Sequence, residues 1–105
     1  MIVTTNNPIK EVIEVCNKLY PLKHCGLSFV HGLKEKEDAW AVTFWPDDGN
    51  LPEISIDVSA PYDACVELIA HEFAHVVAGE VKGHNKDWEN AFSEINIAFN
   101  NAQEE

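Results

Sequence analysis

The sequence predicts one α+β domain, ordered as a helix, a three-stranded sheet and two further helices. Apolar residues recur at 3.6 spacing near the start, at period 2 through the middle third, and at helical spacing again from Tyr62 onward. A chain of 105 residues fits one modest core, and 46% hydrophobic residues are too many for disorder.

Each element has its own signal. Asn7 followed by Pro8 pairs a helix cap with proline in the first turn, and Ile9, Val12, Ile13, Cys16, Leu19 and Tyr20 then line one face until Pro21. Residues 27–31 are β-compatible. Trp40, Val42 and Phe44 alternate with Ala41, Thr43 and Trp45, and Ile54, Ile56 and Val58 alternate with Ser55, Asp57 and Ser59. The charged stretch 34–38 and the turn-rich stretch 46–50 read as hairpin connections. An apolar helix over 62–78 stops at Gly79. The closing helix begins after Asn85 and gathers Trp88, Ala91, Phe92, Ile95, Ala98 and Phe99 on one face, with residues 100–105 expected to fray.

Charge narrows the partners. The chain holds seven lysines, no arginine and 18 acidic residues, a net charge of −11. Without the guanidinium fork or dense positive charge, direct nucleic-acid binding is not expected, and anionic membranes are disfavoured. No apolar run reaches the roughly 20 residues that span a bilayer, and the polar N-terminus lacks a basic signal-peptide start, so a cytoplasmic protein is expected. Cys16, Cys25 and Cys65 show no CxxC spacing and read as reduced thiols; Cys65 lies about 240° around its helix from His71. His24 and His31 have no partner at ligand spacing and read as structural.

The chemistry concentrates in His71-Glu72-Phe73-Ala74-His75, an HExxH sequence inside the apolar helix. Helix geometry sets His71 and His75 about 40° apart around the axis and about 6 Å apart along it, so both imidazoles can converge on one ion. Glu72 lies about 60° from His75, placed to act as a general base without being a ligand. Residues 76–83 are enough to end the helix at Gly79, reverse through Gly83 and return His84 as a third ligand.

The segment HEFAHVVAGEVKGHNKDWENAF resembles the core of SprT-like zinc metallopeptidases, in which HExxH is followed by a Gly-containing loop, GH, an aromatic residue and a helix. The matching positions are His71, Glu72, His75, Gly83, His84 and Trp88. The resemblance implies a zincin-like minimal metalloprotease core over residues 1–105, a catalytic domain without a C-terminal extension. It implies one Zn²⁺ per chain on His71, His75 and His84, with Glu72 catalytic.

Alternatives stay open at this point. The third ligand has carboxylate rivals in Glu80, Asp87, Glu89 and above all Glu94, whose position mimics the glutamate ligand of thermolysin-like peptidases. Glu94 sits at the edge of the buried stripe and suits a partner for a histidine ring better than a ligand. Glu67, one turn before His71, reads as a solvated carboxylate, and Trp40, Trp45 and Trp88 read as core or cleft wall. The leading function is zinc-dependent endopeptidase activity on protein or peptide substrates held as an added strand, with strand 54–58 the expected edge. Rival functions are a non-catalytic zinc-stapled binding module and a metallohydrolase acting on a non-peptide substrate.

Overall fold

The computed structural model of the protein describes residues 1–2, 7–80 and 83–103. Helix α1 covers Pro8–Leu19, and the Asn7 side chain accepts the Lys10 N–H at 3.2 Å while Pro8 takes the first turn. Its inner face buries Val12 and Cys16. Tyr20 closes the helix, donating its N–H to the Cys16 carbonyl.

Strands β1 (Gly26–Val30), β2 (Ala41–Phe44) and β3 (Glu53–Asp57) form a mixed sheet in the order β1-β3-β2. The central strand runs parallel to β1, with Leu27 opposite Ile54 and Phe29 opposite Ile56. It runs antiparallel to β2, with Thr43 opposite Ile54 and Ala41 opposite Ile56. Period-2 alternation turns Ile54 and Ile56 into the core, where both are buried.

Two expectations from the sequence are overturned by this order. Residues 34–38 are not a hairpin loop, because most of the stretch lies in the short helix α2 (Leu33–Glu37), part of the crossover that a parallel β1–β3 pair requires. Its start is set from a distance: Gly32 adopts φ 80°, and the Asp57 carboxylate accepts the Lys34 N–H at 2.7 Å. Strand 54–58 is not the sheet edge either, since β3 has a neighbour on each side and β2 is an outer strand. The connection over 46–50 does join antiparallel neighbours, with Asp48 accepting the Asn50 N–H at 3.1 Å and Gly49 at φ 83°.

Helix α3 covers Tyr62–Ala78 and α4 covers Lys86–Gln103. Helix α3 lies at the centre, packed against α1, α4, β2 and β3. Its apolar residues Ile69, Phe73 and Val76 join Val12, Ile54, Ile56 and Ile95 in the main core. Helix α4 is continuous to Gln103, covering much of the stretch expected to fray; residues 104–105 lie outside the described residues. Among the described residues the molecule is an α+β domain of four helices and one three-stranded mixed sheet.

The three cysteines are free, and burial pushes the Cys16 thiol up to about 12, far from its reactive thiolate form. No described helix is long and apolar enough to cross a membrane.

Candidate metal centre

Helix α3 places His71 and His75 one turn apart on its cleft side. Gly79 ends the helix at φ 93°, its N–H donating to the His75 carbonyl at 3.0 Å. Gly83, at φ 73°, supplies a second backbone conformation that side chains rarely adopt, immediately before His84. The sequence expectation that this segment returns a third histidine holds: ring nitrogens of His71, His75 and His84 all lie within 4.8 Å of one another.

That donor set fits a divalent ion that favours nitrogen ligands. Ligands about 2 Å from a common zinc sit closer together than this, and side-chain rotation of the exposed His84 is the adjustment available. Burial pushes the pKa of His71 and of His75 down, with the neighbouring imidazoles adding to the effect and Glu72 opposing it at His71. Neutral imidazole carries the lone pair a cation needs, so the shift favours binding.

Trp88 is the scaffold beneath the cluster. Asn85 caps α4 by accepting the Trp88 N–H at 2.9 Å, which fixes where the indole begins. The indole Nε1–H donates to the His71 carbonyl at 3.0 Å, tying α4 to α3. Its ring stacks flat on His84, with centroids 3.7 Å apart and planes 9° from parallel, and its own residue is only 7% exposed. His84 is therefore an exposed side chain resting on a buried one.

Glu72 is 7% exposed, its Oε2 lying 3.9 Å from His71 Nε2. Thr43 on β2 donates its hydroxyl to Glu72 Oε1 at 2.8 Å. A cleft of about 620 Å³ opens here between β2 and α3, lined by Thr43, Trp45, Glu72, His75 and Glu80 among others. A second depression of about 320 Å³ lies on the His71 side of Glu72, walled by Trp40, Leu68 and Glu67.

The carboxylate rivals for the third ligand are placed elsewhere. Glu94 accepts a hydrogen bond from the Tyr20 hydroxyl and so links α4 to the end of α1. Burial first and this contact second push the Tyr20 pKa up. Glu80, Asp87 and Glu89 do not group with the histidines, and Glu67 is exposed without a hydrogen bond to His71, as expected of a solvated carboxylate. Neither His24 nor His31 joins a described metal-capable cluster.

Sequence reasoning missed the role of Thr43; it read Trp88 as core or cleft wall, which its burial bears out, but not its hydrogen bond to the His71 carbonyl or its stack on His84. Strand alternation puts Ala41, Thr43 and Trp45 on one face, but only the sheet order brings that face to α3. Comparison of the chain with family models, curated proteins and solved structures gives no match.

Proposed function

We propose that the protein is a zinc-dependent endopeptidase with a zincin-like core, of the SprT-like kind that its HExxH segment resembles. The observation that carries this reading is the convergence of three imidazoles with a carboxylate, Glu72, set 3.9 Å from one of their ring nitrogens. A zinc ion bound by His71, His75 and His84 supplies Lewis acidity and an acidified water at neutral pH. Glu72 takes the proton of the attacking water as general base and then delivers it to the leaving amine. His71, His75 and His84 serve as ligands, and Trp88 keeps His84 in place.

The substrate is an extended protein or peptide segment. Edge strand β2 offers backbone N–H and C=O groups beside Glu72, so a substrate can add as a strand along it and be read through its backbone. That mode recognises unfolded segments with little dependence on side-chain identity.

The test uses Glu72→Gln with fluorogenic casein and metal analysis. The variant keeps one zinc per chain and loses roughly 10²- to 10⁴-fold in turnover, the usual contribution of a general base. Equal rates in variant and wild type overturn the role of Glu72. A fully zinc-loaded wild type that cuts no unfolded protein overturns the peptidase reading and leaves a zinc-stapled module.

A further inference from the structure

We infer that Thr43 is a positioning residue that holds one oxygen of the Glu72 carboxylate, so that the other, Oε2, serves as the proton acceptor. This deepens the peptidase reading and rests on it. A glutamate side chain has several rotatable bonds and two equivalent oxygens, so without a restraint its base is poorly aimed. Here the two oxygens are distinguished. Oε1 receives the Thr43 hydroxyl at 2.8 Å, whereas Oε2 lies 3.9 Å from His71 Nε2, on the ligand side.

A threonine hydroxyl carries a single proton to donate, and its geometry decides where that proton goes. The other acceptor within reach is the Glu72 carbonyl at 3.4 Å, a longer and weaker contact than the 2.8 Å bond to the charged carboxylate. Thr43 is itself held well. It is β-branched, with restricted χ1, and its backbone pairs opposite the buried Ile54 of the central strand. The restraint on the base therefore comes from the sheet and not from α3, which carries Glu72.

The proton step follows from this division. As a lone pair of the water oxygen forms the new C–O bond, the carbonyl π pair moves onto the carbonyl oxygen, and the water's O–H bond breaks, leaving its electron pair on that oxygen while the proton forms a new O–H bond on Oε2. When the carbonyl re-forms, the C–N bond breaks with its electron pair going to nitrogen, and Oε2 gives its proton to that departing amine nitrogen, which restores the carboxylate. Oε1 keeps its hydrogen bond to Thr43 throughout, so the base returns to the same orientation.

Two experiments test the inference, one of them independent of turnover. In casein cleavage, Thr43→Val lowers kcat about tenfold, the scale of losing one charge-assisted hydrogen bond. KM and zinc stoichiometry stay at wild-type values, and Thr43→Ser, which keeps the hydroxyl, restores kcat to within about threefold. Thr43→Ala carries the same test if the valine variant does not fold. In the metal-free protein, Thr43→Val and Glu72→Ala shift Tm non-additively, because each removes the same contact.

Wild-type kcat in Thr43→Val, no rescue by serine, or additive Tm shifts each overturn the inference while leaving the peptidase reading standing. A zinc-loaded wild type that does not cleave casein or other unfolded proteins overturns that reading, and with it any part for Thr43 in catalysis.

Discussion

Asp57 and the cluster of His71, His75 and His84 both gather polar groups beside the core, and their hydrogen bonding differs completely. Asp57 is 2% exposed and accepts three hydrogen bonds, from the Lys34 N–H at 2.7 Å, the Ser59 N–H at 2.8 Å and the Ser59 hydroxyl at 2.6 Å. It closes a corner of the fold using only the chain itself. Among the described residues, no hydrogen bond engages a ring nitrogen of the three histidines, although these nitrogens lie within 4.8 Å of one another. A buried carboxylate with filled acceptor sites is doing structural work, whereas convergent lone pairs with no donor suit a partner from outside the chain.

The contrast breaks most visibly on metal addition. Zinc at 100 times its Kd adds about 2.7 kcal/mol to the stability of the protein. For a domain of this size that raises Tm by about 10–20 °C. His84→Ala loses most of the rise, Glu72→Gln keeps it, and chelation reverses it, all readable by thermal unfolding with and without EDTA. An unchanged Tm on zinc addition to the metal-free wild type ends the distinction between the two clusters.

A smaller effect separates the ligands from their support. Trp88→Phe keeps an aromatic ring under His84 but removes the Nε1–H bond to the His71 carbonyl. Stability of the metal-free protein falls by about 1–2 kcal/mol, a lost hydrogen bond with incomplete refilling of the indole's space. Zinc affinity falls several-fold as the platform under His84 shrinks. Urea unfolding of the metal-free form and zinc titration measure the two losses separately; intact affinity alongside lowered stability assigns Trp88 to the core alone.

What was legible in the sequence divides along the same line between local and distant causes. The start of α1 could be read from Asn7 and Pro8, the end of α3 from Gly79, and the start of α4 from Asn85, because each signal sits within a few residues of its effect. The His71, His75 and His84 cluster was legible for the same reason, being spaced by one helical turn and one short return. The sheet order was not, since period-2 patterns say which face is buried and not which strand lies alongside. Helix α2 escaped notice because its charged stretch has no apolar period, and the acceptor of its Lys34 N–H is Asp57, 23 residues away. Thr43 became visible only once β2 lay against α3.

The last expected effect lies at Asp57 and is a matter of pH. The Ser59 hydroxyl, with the Lys34 and Ser59 N–H groups, holds its carboxyl down at about 2. An unfolded aspartate titrates near 3.9, so between these values the unfolded chain binds the extra proton. The stabilisation is therefore complete above about pH 4 and is lost as pH falls through about 2. Asp57→Asn is less stable than wild type at neutral pH, and the gap in Tm narrows from pH 4 to pH 2. The zinc-dependent rise fades as pH falls, in a window above that of Asp57, as protons displace the ion from imidazoles whose ordinary value is near 6.5, with burial of His71 and His75 extending the bound range downward. Two separate windows in one pH series of melts, with and without zinc, are what a self-closed cluster and an open one produce; a single shared window shows that the two are coupled.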